Sequence, residues 1–289
     1  MSLVALALVL ASAGAHATWN FLAKSSKDKA LFTWSFVTLS SFIYLPLVAY
    51  FALRDPVPAR GWIFAVGTML IHVVYFTTLT ASYAREDLSV VYPVARGTGI
   101  ALTPIFAAVA LGERVTLGGG LAIGVIVLGL VVAHTRGRGR AALGGLAPSL
   151  RSRGSQLALL TGIVIAVYST WDKQGVSLVV PPVYNYFPFL GQAIVASPFA
   201  LRRWDGVRRE VESRPFAVIG AAVLSPLAYL LVLTAMTLSP VSYVAPAREV
   251  GIVFGAVLGA TVLKEPNGSN RLAGCALIVL GVMGLAVLA

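Results

Sequence analysis

Ala95-Arg96-Gly97-Thr98-Gly99-Ile100 and Ala247-Arg248-Glu249-Val250-Gly251-Ile252 stand 152 residues apart, and the same offset carries Leu111-Gly112-Glu113 onto Leu263-Lys264-Glu265. It also carries Thr18-Trp19 onto Thr170-Trp171, Pro46 onto Pro198 and Leu128-Gly129 onto Leu280-Gly281, without a gap. Apolar segments share many Ala, Leu and Val by chance. Trp, Arg, Glu and Pro recurring in one register are another matter, and they make the chain two copies of one unit.

Each unit reads as a membrane domain. The chain is 58% hydrophobic with a mean hydropathy of +0.86, and 11% of its residues are charged, against about 25% in soluble domains. A helix needs about 20 apolar residues to cross about 30 Å of hydrocarbon. Ten runs qualify, at about 3–23, 30–53, 61–83, 87–111, 116–135, 155–175, 183–202, 214–238, 240–263 and 269–288. They are continuous rather than alternating, which favours helices over a β-barrel. The expected organisation is a first five-helix repeat over 1–135, a Gly/Arg-rich cytoplasmic linker over 136–154 and a second repeat over 155–289. Residues 3–15 with the small residues after them resemble a signal core. No Lys or Arg precedes Leu3, however, and the segment is the repeat partner of 155–175, so it reads as a retained first helix.

Five spans per copy is an odd number, so the second copy enters the membrane from the opposite side. Loops 24–29, 84–86, 136–154, 202–214 and 264–271 fall on one side and hold 16 Lys or Arg, whereas the other side has only Arg54, Arg60, Arg114 and Lys173. By the positive-inside rule the first side is cytoplasmic. The expectation is a multi-pass protein of a bacterial inner membrane with both termini on the outer, periplasmic side. The net charge of +11 is then an orientation signal, and nothing points to nucleic acid.

Inverted repeats are a common plan of secondary transporters, with the substrate site near the midplane between the halves. The sequence is therefore expected to specify an all-α integral membrane protein, with ten transmembrane helices in two inverted five-helix repeats around a central cavity. No Walker-type run is present, and Cys275 is the only cysteine, so neither ATP binding nor a Cys-rich metal site is indicated. His16, His72 and His134 fall on different predicted helices with no ligand spacing. No metal, cofactor or catalytic group is expected.

The early His16-Ala17-Thr18-Trp19-Asn20 and the helix ends Leu111-Gly112-Glu113 and Leu263-Lys264-Glu265 resemble the EamA-type units of the drug/metabolite transporter superfamily, over nearly the whole chain. Within it the chain most resembles the YddG-type aromatic amino-acid exporters. That resemblance implies a ten-helix basket with a central cavity, alternating access, export, and an amino acid as the small-molecule substrate. The protein would act as a monomer in the lipid bilayer. Sugar phosphates, nucleotide sugars and drugs are the alternatives within the superfamily; lipid handling and channel or receptor roles are alternatives outside it.

The polar residues inside the spans are left to carry function. Arg96 and Arg248 fall near mid-membrane, where a charge costs at least ~2.5–3.5 kcal/mol and must face protein or water. Each suits a carboxylate, or carbonyls freed near Pro93 and Pro246. Glu249 adjoins Arg248 and is expected to neutralise it, leaving Arg96 as the freer anion site. His72, Tyr75, Phe76, Leu79 and Tyr83 share one face of the third helix, and Tyr92, Arg96, Gly99 and Thr103 share one face of the fourth. With Trp19, Asn20, Trp171, Tyr229 and Tyr243 they make a candidate substrate wall, against a plain packing or interfacial-belt reading. Tyr184-Asn185-Tyr186-Phe187 reads as a belt. Gly251, Gly255 and Gly259 read as a packing stripe. Glu113 and Glu265 each precede a new helix, whose positive end favours a carboxylate. Asp172 and Glu249 are the only intramembrane acids available for proton coupling. Asp172 is expected beside Lys173 near the outer interface, which leaves coupling weak or absent.

Overall fold

The computed structural model describes residues 1–24, 26–134, 152–261 and 269–288. The expected linker and the Lys264-Glu265 motif lie outside the described residues, apart from the linker's last three positions. The first half contains α1 (Leu3–Lys24), α2 (Lys29–Arg54), α3 (Ala59–Tyr83), α4 (Leu88–Leu111) and α5 (Leu117–His134). The second contains α6 (Arg153–Gly175), α7 (Pro181–Tyr184), α8 (Tyr186–Leu201), α9 (Trp204–Ser213) and α10 (Pro215–Leu238). It continues with α11 (Val241–Ala247), one 3-10 turn (Arg248–Val250), α12 (Gly251–Thr261) and α13 (Ser269–Leu288). Among the described residues nine helical stretches are long and apolar enough to cross a membrane. No strand occurs among these residues.

Local signals set the helix ends. Asp28 caps α2 by accepting from the amides of Ala30 and Leu31, each at 3.2 Å. Ser152 accepts from Ser155 N at 3.1 Å to start α6, and its hydroxyl donates to Glu86. Gly112, at φ +69°, ends α4 in the left-handed conformation that glycine adopts without a Cβ penalty.

Two elements depart from the sequence reading. The expected span 183–202 is α7 and α8 running on through Asn185, whose backbone is itself right-handed helical. Pro188 has no N–H to offer the carbonyl of Tyr184, which loosens the ladder at that point. The expected loop 202–214 contains α9, whose Val207 and Glu210 are buried. Trp204 meets Trp34 edge-on at 6.5 Å, and Arg203 pairs with Asp28 at 2.9 Å.

The helix pairs come in exchanged sets. α4 packs on α6 and α12 on α1; α3 packs on α6 and α10 on α1; α3 packs on α8 and α10 on α2. α5 pairs with α13, and α2 with α8. Thus α3, α4 and α6 form one body, and α1, α10 and α12 a second. Lipid tails are as apolar as leucine, so close packing must hold these bodies together. A Cβ placed on Gly162 would stand 2.7 Å from the Ala95 carbonyl oxygen, tying α6 to α4. One on Gly129 would stand 2.8 Å from the Gly274 carbonyl oxygen, tying α5 to α13. The stripe on α12 behaves differently. Gly251 has its nearest such neighbour at 3.9 Å and Gly255 none within 4 Å. At these two positions the expected packing role falls to other glycines, and Gly259 lies outside the residues whose side-chain surroundings are described. Large apolar side chains on the outside, among them Phe42, Ile63, Val109 and Phe216, are exposed and suit a lipid surround.

Candidate functional site

The 3-10 turn between α11 and α12 decides the site's wiring. Neighbouring residues on a helix point about 100° apart and do not face each other. Glu249 therefore does not hold Arg248, as the sequence suggested. Its Oε1 lies 2.6 Å from Nη2 of Arg96 on α4, and the acid side chain is 2% exposed. Arg248 instead lies over the ring of Tyr229 on α10, at 5.4 Å from its centroid. Arg96 is the paired cation, and Arg248 the one placed over an aromatic face.

Asp172 is fully buried. It accepts from the Tyr184 hydroxyl at 2.8 Å and from the Tyr229 hydroxyl. Lys173, expected as its partner, turns the other way and donates to the carbonyls of Met236 and Ser239. Tyr184 is not a belt residue: it is fully buried, and Asn185 beside it donates to the Pro226 carbonyl at 3.1 Å. The Tyr229 hydroxyl thus touches the acid while its ring carries Arg248, so Asp172 and Arg248 communicate through one side chain.

An aromatic cluster adjoins these charges. His72 lies 4.5 Å from Tyr168 and 5.5 Å from Tyr229, ring to ring, and Tyr75 lies 5.5 Å from Tyr168. His72 Nδ1 lies 2.9 Å from the Thr68 carbonyl, to which it donates. Arg96, Gly99, Ile100, Thr103, Ile165, Tyr168, Ser169, Ala245, Arg248 and Glu249 line one pocket. Its room for the centre of a water-sized sphere is about 10 Å³, close to the least that admits one water. Around the ion pair the site is shut.

The remaining candidates lie around or beyond this group. Tyr92 stacks on His134 at 4.9 Å, one turn before Arg96. Trp19 donates to His16 Nδ1 at 3.2 Å, and His16 lies within electrostatic reach of both arginines. Asn20 bends back to the His16 carbonyl at 2.8 Å. Trp171 donates to the Phe64 carbonyl at 3.0 Å and packs on the Phe64 ring. Tyr83 is exposed at the end of α3. Tyr243 lies away from the pocket, because it is in the first turn of α11 rather than at its middle. Its hydroxyl accepts from the Thr116 amide at 3.0 Å. Tyr168 was missed, although the 152-residue offset pairs it with His16.

Glu113 closes one end of the molecule. Its carboxylate accepts from Val241 N at 2.9 Å, Ser242 N at 2.9 Å and Ser242 Oγ at 2.6 Å. It caps the start of α11, not the start of the next helix as expected. Thr116 donates to the Leu288 carbonyl at 2.9 Å beside it. At that end α11 packs on α4; α12, further along, packs chiefly on α1. The fourth and ninth spans are thus joined at the Glu113 end.

Residues 152–287 match the model of the EamA-like transporter family. No curated protein matches the chain in sequence. A solved structure described only as "Crystal structure of protein" is 16% identical and covers 99% of this chain and 98% of its own, with a TM-score of 0.67. At that identity the likeness shows the fold alone. Residues 152–287 are therefore an EamA-like transporter domain, and the nine apolar helical stretches make the chain a multi-pass membrane protein.

Proposed function

We propose that the protein is a secondary transporter that exports amphipathic amino acids, chiefly aromatic ones, by alternating access, as the resemblance to YddG-type exporters suggests. The observation that carries this reading is the shut pocket between the two halves. It is lined by the repeat-related Arg96 and Arg248, with Tyr168 on its wall and His72, Tyr75 and Tyr229 behind it. Guanidinium groups suit a carboxylate, and the aromatic group suits an apolar side chain. Glu249 already neutralises Arg96, so the site favours a molecule with one carboxylate over a dianionic sugar phosphate.

The exchanged helix pairs support two inverted units, spanning 1–135 and 155–289. With the basic loops in the cytoplasm of a bacterial inner membrane, the Glu113 end faces outward. The molecule is then in an occluded state, latched outside by Glu113 and shut around the Arg96–Glu249 pair. It works as a monomer and transforms no substrate.

Counterflow in proteoliposomes tests the reading. Preloaded unlabelled phenylalanine should draw labelled phenylalanine inward against its gradient, which neither a channel nor a receptor does. No trans-stimulation by any amino acid, with ready exchange of a sugar phosphate, would replace the amino-acid reading with the sugar-phosphate one.

A further inference from the structure

We infer that the Arg96–Glu249 ion pair is the template of a zwitterion: the substrate's carboxylate replaces Glu249 at Arg96, and its ammonium replaces Arg96 at Glu249. The inference rests on the amino-acid reading above and deepens it, by making Glu249 the residue that recognises the amino group.

Four ionisable side chains meet at the site, two basic (Arg96 and Arg248) and two acidic (Glu249 and Asp172), and their formal charges cancel. Charges out of water are tolerated when they stay paired. The two acids differ in how far they are committed. Asp172 has both oxygens held by tyrosine hydroxyls. Glu249 Oε2 and Arg96 Nε are buried and have no hydrogen-bond partner among the described residues. Each member of the pair therefore keeps a free polar atom beside the bond that joins them. A carboxylate reaching Arg96 can take Nε and Nη2 together, the two-pronged geometry that guanidinium prefers. An ammonium with three donors can take both oxygens of Glu249.

The pocket is too small to admit a substrate beside the intact pair, so the pair must part. The backbone next to it is built to yield. Glu249 is in the single 3-10 turn between α11 and α12, a hinge-like interruption of a helix. Gly255, which follows on α12, has slack: a Cβ there would meet nothing within 4 Å. A zwitterion is the one simple ligand that lets both residues part and leaves neither unpaired. A lone amine strands Arg96, and a lone carboxylate strands Glu249.

The test uses the full-length protein in proteoliposomes and three molecules with one side chain: phenylalanine, phenethylamine and 3-phenylpropionate. The wild type should exchange phenylalanine at least ~100-fold more efficiently than either single-charge analogue, the scale expected for stranding a buried charge. Glu249→Gln should lower phenylalanine exchange and raise that of 3-phenylpropionate. Arg96→Gln should lower it and raise that of phenethylamine. Wild-type exchange of either analogue as fast as phenylalanine overturns the inference and leaves the amino-acid reading standing; so does an equal loss of all three molecules in both variants while they remain monodisperse. Should a single variant fail to fold, the exchanged pair Arg96→Glu with Glu249→Arg keeps the charges balanced. It should retain the zwitterion preference, and losing that preference also overturns the inference. Absence of any amino-acid exchange by the wild type removes both readings.

Discussion

Replacing Glu113 by Gln should weaken the seal at one end of the molecule while the fold persists. The carboxylate takes three hydrogen bonds, from Val241 N, Ser242 N and Ser242 Oγ, at 2.6–2.9 Å. Glutamine has the same length but one acceptor oxygen, and its NH2 would confront a donor. At least one charge-assisted bond is lost, worth about 1.5–3 kcal/mol. A difference of that size moves a two-state equilibrium by roughly 10- to 150-fold. The assay uses Ala245, which lines the pocket. Cys275, the only cysteine in the chain, is first removed and Ala245 replaced by Cys. A membrane-impermeant maleimide is then applied from each side in turn. Labelling from the Glu113 side should rise by at least an order of magnitude in Glu113→Gln, and labelling from the Ser152 side should fall. Unchanged labelling from both sides, with melting behaviour preserved, would refute the view that Glu113 holds that end shut.

Gly162→Ala forces a Cβ to 2.7 Å from the Ala95 carbonyl oxygen, a backbone atom that cannot step aside. It should cost about 1–3 kcal/mol, read as a lower melting temperature in detergent. Gly255→Ala, with nothing within 4 Å, should leave that temperature unchanged. Tyr184→Phe takes a hydroxyl from the buried Asp172 and should destabilise by about 1.5–3 kcal/mol; a shift below the error of thermal denaturation would mean that Asp172 is satisfied otherwise. A reporter active only in the cytoplasm, fused after the last residue, should be silent, and activity would reverse the proposed orientation.

The sequence carried the helices and their order because spanning hydrocarbon imposes a length and a composition that few other constraints resemble. It also carried both arginines, because a rare charge in a repeated register is conspicuous. What it could not carry was who meets whom. Adjacency in the text made Glu249 the partner of Arg248 and Lys173 the partner of Asp172. On a helix adjacent residues diverge, and both acids turned to other helices, Glu249 to α4 and Asp172 to Tyr184 and Tyr229. Tyr184 looked interfacial because its neighbours are aromatic, yet it is fully buried and its hydroxyl reaches Asp172. α9 was hidden for another reason: the five basic residues of the loop carried the orientation signal, although Trp204, Val207 and Val211 recur at helical spacing and mark an apolar face. Tyr168 is marked in the sequence only as the repeat partner of His16, and two unlike residues leave no shared text to notice.

The two packed bodies described above are not the two halves of the text. α6 belongs to the second half but is wedged among α3 and α4, and α1 belongs to the first but is wedged among α10 and α12. Each half has lent its opening helix to the other, as two hands do when the fingers interlace. The peptide connection between residues 135 and 152 is thus redundant as a tether. A chain severed there should co-purify as two fragments and still transport, whereas either fragment made alone would present a vacant slot where its neighbour's first helix belongs.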